Sequence, residues 1–374
     1  MSGTSPTIEW LERLGFFGMH LGLERMHALM GRLRHPQRRY PSIHVVGTNG
    51  KTTVTRTIEA LLRAEGLSVG TYTSPHVTDW SERIRVDGED GDFERAIERV
   101  RPAAEALGAT QFEVLTAAGL LEFAEARVDV AVVEAGLGGR LDATNVVDAG
   151  IVVLTNISLE HVEHLGSSRE AIAEEKLAVV PPGATVVLGE ADWEGAARAR
   201  GAAEVIVAEG GNPTLAAAAA GAFLGRDVEA GAAERVVVPG RLEEIATSPL
   251  EIWDGAHNLA GVEYLRSRLP EREWVLVLSI LADKNADRML RAFSPLGSRV
   301  VATTSGHARA LSAQDLARRA RTYFPRTQAV EGPLEARELA RDAAGADGAV
   351  LVSGSLYLLE ALAAVRSANV RWGT

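Results

Sequence analysis

The stretch Ile43-His44-Val45-Val46-Gly47-Thr48-Asn49-Gly50-Lys51-Thr52-Thr53 decides the fold of this chain. A short β-type run breaks into a glycine-rich turn, and the turn opens a segment compatible with a helix. Such a turn points successive backbone N–H groups into one concave space. The helix that follows aims the positive end of its dipole at the same place. Lys51 adds a full charge, and a threonine hydroxyl can reach Mg²⁺. The natural occupant is a nucleoside triphosphate, cradled by Gly47, Thr48, Asn49, Gly50, Lys51, Thr52 and Thr53. Val45 stands at the first glycine position of the pattern G-x-x-x-x-G-K-[ST], and the turn glycine comes later, at Gly47. The bland alternative is a βα turn without a ligand; Gly-Lys-Thr directly after a strand weighs against it.

Outward from this stretch, apolar β-type runs alternate with amphipathic segments. The expected strands are 43–46, 69–73, 128–134, 151–155 and 185–188, with helices over 53–65, 93–107 and 112–126. That is the rhythm of βαβ units and a largely parallel sheet covered by helices on both faces. The segment Gly221 to Gly240 is rich in Gly, Ala and charge, and the domain joint is expected there. A first domain of residues 1–240 would be followed by a smaller α/β domain, 241–374, with strands over 250–253, 274–279, 299–303 and 349–353. Ala216–Ala220 reads as a helix with a small-residue packing face, since Ala is the best helix former.

The chain has 374 residues, too many for one ordinary core, and its hydrophobic fraction of 46% is that of a globular protein. A net charge of −11 argues against nucleic-acid and anionic-membrane partners. The absence of cysteine excludes disulfides, Cys-ligated zinc and thiol catalysis. No apolar run reaches membrane-spanning length and no signal pattern opens the chain, so a cytoplasmic protein is expected.

Four further places carry chemistry-bearing side chains. Glu134 ends the strand 128–134, where ligands of α/β sheets bind and where a carboxylate can hold Mg²⁺ against phosphate. The loop after it, Gly136-Leu-Gly138-Gly139-Arg140-Leu141-Asp142-Ala-Thr144-Asn145, is no dinucleotide fingerprint, because Leu141 takes the third glycine position. His161 follows the next strand by a few residues and suits a metal-ligand role; His164 reads as a loop residue, and no H-E-x-x-H pattern supports zinc. Lys176 reads from composition as part of a solvated helix face. Ser74-Pro75-His76 is either an ordinary turn or a hydroxyl set at the sheet edge. In the second half, Asp254-Gly-Ala-His257-Asn258 ends a strand with an acid, an imidazole and an amide, or simply caps a helix. Arg241 and Lys284, each taken alone, read as surface charges.

Taken together and in order, these motifs resemble the folylpolyglutamate synthase/dihydrofolate synthase family of Mur-type ligases over nearly the whole chain. They run from Leu21-Gly-Leu-Glu-Arg-Met26 through Gly47–Lys51, Thr73–His76 with Glu82-Arg83, Glu134–Asn145, His161 with Leu165-Gly166, and Glu175-Lys176. The series continues with Pro239-Gly-Arg241, Asp254–Asn258, Leu281-Ala-Asp-Lys284 and Ser353-Gly-Ser-Leu-Tyr357. The resemblance implies a P-loop ATPase domain followed by a Rossmann-like domain. It implies ATP at Lys51 and its turn, Mg²⁺ (two ions) on Thr52, Ser74, Glu134 and His161, and a carbamylated Lys176. Asn212, Arg241, Asp254 and His257 would contact nucleotide, and Lys51, His161, Lys176 and His257 would be the catalytic set. The implied reaction passes through an acyl phosphate on a pteridine carboxylate, which the amine of L-glutamate attacks; the family expectation is a monomer. The chain departs from the family in Thr52-Thr53 after Lys51, Glu160 where Asp is usual, Leu177-Ala-Val after Lys176, Leu259 in place of Pro, and a shorter stretch between Lys176 and Arg241. Two other readings share these features: a Mur-like ligase acting on a non-folate carboxylate, and a P-loop regulator without ligase activity.

Overall fold

The computed structural model describes residues 5–14, 22–159, 166–231 and 236–370. The chain divides into two compact units, Met1–Val236 and Val237–Thr374.

The first unit is built on an eight-stranded sheet: β1 (Ser42–Val46), β2 (Val69–Tyr72), β3 (Ile84–Val86), β4 (Glu89–Asp90), β5 (Val130–Glu134), β6 (Ile151–Leu154), β7 (Thr185–Leu188) and β8 (Glu204–Val207), in the order β4-β3-β2-β5-β1-β6-β7-β8. Every pairing is parallel except those of β3 with β2 and β4. β1 therefore lies between β5 and β6, with Val45 opposite Glu134 on one side and Val153 on the other. The strand alternates its faces. Ile43 and Val45 join Val54, Ile58, Leu61 and Leu62 of the helix Lys51–Ala64 and the alanines of the helix Asn212–Leu224. Val46 points the other way, into a cluster with Tyr72, Val133 and Phe123. The Ala216–Ala220 run is helical as expected, and its small side chains let the two helices pack closely against each other.

The second unit holds a six-stranded sheet of β9 (Glu243–Thr247), β10 (Leu250–Trp253), β11 (Trp274–Leu278), β12 (Arg299–Ala302), β13 (Arg326–Ala329) and β14 (Ala349–Ser353), ordered β13-β12-β11-β14-β10-β9. Only the β9–β10 pairing is antiparallel. Trp274, Phe293 and Phe324 centre its core. Glu251, fully buried in β10, accepts from Arg337 Nε at 2.6 Å and Nη2 at 2.9 Å, from Arg341, and from Trp253 Nε1 at 2.7 Å. A buried carboxylate is tolerable only when paired and hydrogen-bonded, and the arginines pin the helix Pro333–Ala344 to the sheet.

Candidate active site: the turn after β1

Gly50 caps the helix Lys51–Ala64 in the left-handed region, at φ 81°, and no side chain caps that helix. Its first N–H groups are the unsatisfied donors that an anion can take. The turn is shaped by close approaches. At Gly47, φ +143°, an added Cβ would lie 1.9 Å from Thr155 Oγ1; at Gly50 it would lie 2.7 Å from Asn212 Oδ1. Asn212, expected near nucleotide, thus sits directly against the turn. Lys51 donates from Nζ to the Thr48 carbonyl at 3.2 Å. Thr53 stands half-buried on the helix's first turn.

Two of the expected metal-binding residues, Thr52 and Ser74, converge on the carboxylate of a third, Glu134. Glu134, 1% exposed at the end of β5, accepts from Thr52 Oγ1 at 2.9 Å and from the Ser74 N–H at 3.1 Å. Ser74 lies two residues beyond the carboxyl end of β2, in a bend, and reaches Glu134 through its backbone N–H. Among the described residues no three His, Asp or Glu side chains form a metal cluster. The donors here are one carboxylate and hydroxyls, hard oxygens that fit Mg²⁺ shared with phosphate and not zinc.

Lys176 corrects the reading from composition. It is 2% exposed, not on a solvated face, and donates from Nζ to the Gly47 carbonyl at 2.8 Å. The loop after Glu134 brackets it. A Cβ at Gly139 would lie 2.6 Å from the Glu175 carbonyl and 2.7 Å from that of Lys176, and Arg140 binds Glu175 through its backbone N–H and Nε, each at 3.1 Å. Asp142, buried, accepts from the Leu137 N–H at 2.8 Å and the Thr144 N–H at 3.0 Å; burial pushes its carboxyl up. Thr144 passes its proton side to Asp142 and accepts from His44 Nε2 at 2.8 Å. Burial lowers the His44 pKa to about 4, so it is neutral, and this chain of bonds ties β1 to the loop. His161, with Glu160 and His164, lies outside the described residues.

In the second unit, Asp254 accepts from the Leu242 N–H at 2.9 Å and the Ala256 N–H at 2.8 Å. Burial raises its pKa and the Arg241 charge opposes that rise. Arg241 donates to the Gly240 carbonyl at 3.0 Å and passes close over Gly255. His257 bonds the Gly255 carbonyl through Nδ1 at 2.8 Å, which makes Nδ1 the protonated nitrogen. Asn258, not Asp254, caps the helix Leu259–Arg268, accepting from the Gly261 N–H at 2.8 Å. Lys284 lies 3.6 Å from Asp283. Asn156, two residues beyond the end of β6, is not among the residues expected at the site, although an amide there stands where the turn must be held.

Residues 45–207 match the model of the Mur ligase middle domain, and 240–356 that of the Mur ligase, glutamate ligase domain. The dihydrofolate synthase/folylpolyglutamate synthase of Mycobacterium tuberculosis is 36% identical over 79% of this chain and 76% of its own length. The structure of the M. tuberculosis folylpolyglutamate synthase complexed with ADP matches with a TM-score of 0.88 and 32% identity, covering 98% of this chain and 97% of that one. The bifunctional Yersinia pestis enzyme with Mn, AMPPNP and L-glutamate bound matches at 0.85 and 30%, covering 98% of each. With both Mur ligase models matched in order, and with full-length likeness at this identity, the chain belongs to the folylpolyglutamate synthase/dihydrofolate synthase family.

Proposed function

We propose that this protein is an ATP-dependent amide ligase that adds L-glutamate to a folate, to dihydropteroate, or to both. The observation that carries the reading is the meeting of Lys51, Thr52, Ser74, Glu134 and Lys176 around one uncapped helix N-terminus. A nucleotide-binding module alone needs no such set of buried groups behind its turn.

The chemistry follows from these positions. A carboxylate oxygen of the pteridine substrate attacks the γ-phosphorus of ATP, the bond to the β-phosphate oxygen breaks, and ADP leaves. Lys51 and the helix N-terminus neutralise charge that spreads over the phosphoryl oxygens, and most of the acceleration comes from positioning. The glutamate amine then attacks the acyl carbon, inorganic phosphate leaves, and the nitrogen loses a proton. Thr52, Ser74 and Glu134 would hold Mg²⁺, which when bound screens phosphate charge. A second ion on His161 and a carbamylated Lys176 belongs to the same reading. So do contacts to nucleotide from Asn212, Arg241, Asp254 and His257. We read the protein as a cytoplasmic monomer acting on small molecules; no helix among the described residues is long and apolar enough to cross a membrane.

The test is release of ADP and phosphate from ATP with dihydropteroate or tetrahydrofolate, with and without L-glutamate, and with product mass recorded. Gain of one glutamyl unit on either acceptor is expected and says which activity is present. Glutamate-independent hydrolysis with no new product would move the search to other carboxylate acceptors.

A further inference from the structure

The crest of the turn is held by a side chain outside it. Asn156, two residues beyond the end of β6, accepts the Asn49 N–H on Oδ1 at 3.1 Å and donates from Nδ2 to the Asn49 carbonyl at 2.9 Å. Its own carbonyl accepts the Thr48 N–H at 2.9 Å, and Thr48 Oγ1 accepts the Ser158 N–H at 3.1 Å. The backbone pairing brings the segments together; the amide does something more specific.

The peptides on either side of Asn49 are trans. In a trans peptide the C=O and N–H point in opposite directions. The Asn49 N–H faces Asn156, so the Thr48 carbonyl faces away from it, and that carbonyl is the one that receives Lys51 Nζ. The Asn49 carbonyl also faces Asn156, so the Gly50 N–H faces away too. Asn156 thereby fixes which groups the turn presents on the Lys51 side: the Thr48 carbonyl, covered by the Lys51 ammonium, and the Gly50 N–H donor. Gly50, at φ +81°, is free to take either sign of φ, so the peptide before it can turn over at little cost and present a carbonyl instead. A carbonyl there would repel phosphate. Only an amide carries an acceptor and a donor side by side: Asp accepts at both oxygens, and Ala does neither.

We infer that Asn156 is a positioning residue of the phosphate site, locking the peptide before Asn49 so that its carbonyl seats the Lys51 ammonium, and the peptide after it so that the Gly50 N–H faces an anionic nucleotide. The inference rests on the nucleotide reading of the turn. Its experiment is calorimetric titration of ADP into the full-length protein and its N156D and N156A variants, beside thermal unfolding and KM values for ATP and L-glutamate. Both variants keep the backbone bonds to Thr48. Each is expected to bind ADP at least about ten-fold more weakly, the loss of about one buried hydrogen bond to a charged site. The KM for ATP rises with it, while the KM for L-glutamate and the melting temperature stay near those of the parent. N156D, equal in shape, decides the matter if N156A fails to fold. ADP affinity within two-fold of the parent in a folded variant overturns the inference, as does a parallel loss of glutamate affinity. A parent chain that binds no ADP overturns the nucleotide reading itself, which separates the two failures.

Discussion

Gly139 is where one methyl group would reach Lys176 through the backbone. A Cβ there would lie 2.6 Å from the Glu175 carbonyl and 2.7 Å from that of Lys176 at the end of the helix Arg169–Lys176, so the side chain of an alanine would have to push that backbone aside. The displaced element carries Lys176 and, through its ammonium, the Gly47 carbonyl. Gly139→Ala is expected to cost about 1–3 kcal/mol in stability and about 10²-fold in kcat, because a shift near 1 Å at a reacting constellation has that effect. Steady-state rates measured beside the melting temperature check this, and a kcat within two-fold of the parent would mean that the loop does not position Lys176. His44 makes a second prediction at this scale. Its folded pKa is about 4, lowered from 6.5 by burial. Above pH 6.5 both folded and unfolded chains are neutral there and no slope arises. As pH falls from 6.5 to 4, the unfolded chain gains a proton that the folded chain refuses. Stability therefore falls across that window, by about 3 kcal/mol in all. His76, lowered to about 3 by burial and then by the Arg83 charge, adds a slope of the same sign. Denaturant midpoints between pH 7 and 5 should fall more steeply in the parent than in His44→Gln; equal slopes would show that folded His44 takes up a proton like an exposed one.

Elements were legible where burial on two faces writes itself into the sequence. β1, β5, β6, β7, β11 and β14 are nearly continuous apolar runs, and each was expected within a residue or two. The strands that escaped lie at or beside sheet edges: β3 and β4 at one end of the first sheet, β8 at the other, and β9 and β13 in the second. Glu243-Glu-Ile-Ala-Thr247 and Arg326-Thr-Gln-Ala329 are half-exposed and polar, because an edge strand is stabilised by pairing on one side and protected from aggregation by charge. Composition carries little of that. The same limit explains Lys176. Its charge suggested solvent, yet it follows the buried Ile172 by four residues and Ala173 by three, so helical spacing alone places it on the apolar face. The legible part of the site was the part written contiguously, from Gly47 to Thr53. Asn156, His44 and Thr144 were not legible, since their roles arise from strand order: β6 and β5 flank β1 only after folding.

At the scale of the whole molecule, the net charge and the proposed substrates have the same sign. The chain carries 39 Lys and Arg against 50 Asp and Glu, a net −11, while ATP, folates and glutamate are all anions. Attraction must therefore be local, supplied by Lys51 and the uncapped N-terminus of the helix Lys51–Ala64. The general field opposes approach over a longer range. These two terms respond differently to salt. The screening length shortens from about 30 Å at 0.01 M to about 8 Å at 0.15 M ionic strength, which weakens repulsion by distant surface charge more than attraction at contact. The KM for ATP at fixed Mg²⁺ is accordingly expected to fall, by about two-fold, as ionic strength rises over that range. A protein whose whole surface attracted its substrate would show the opposite. If KM rises with salt from the lowest concentration upward, the acidic surface is remote from the approach to the turn, and the local positive end governs capture as well as binding.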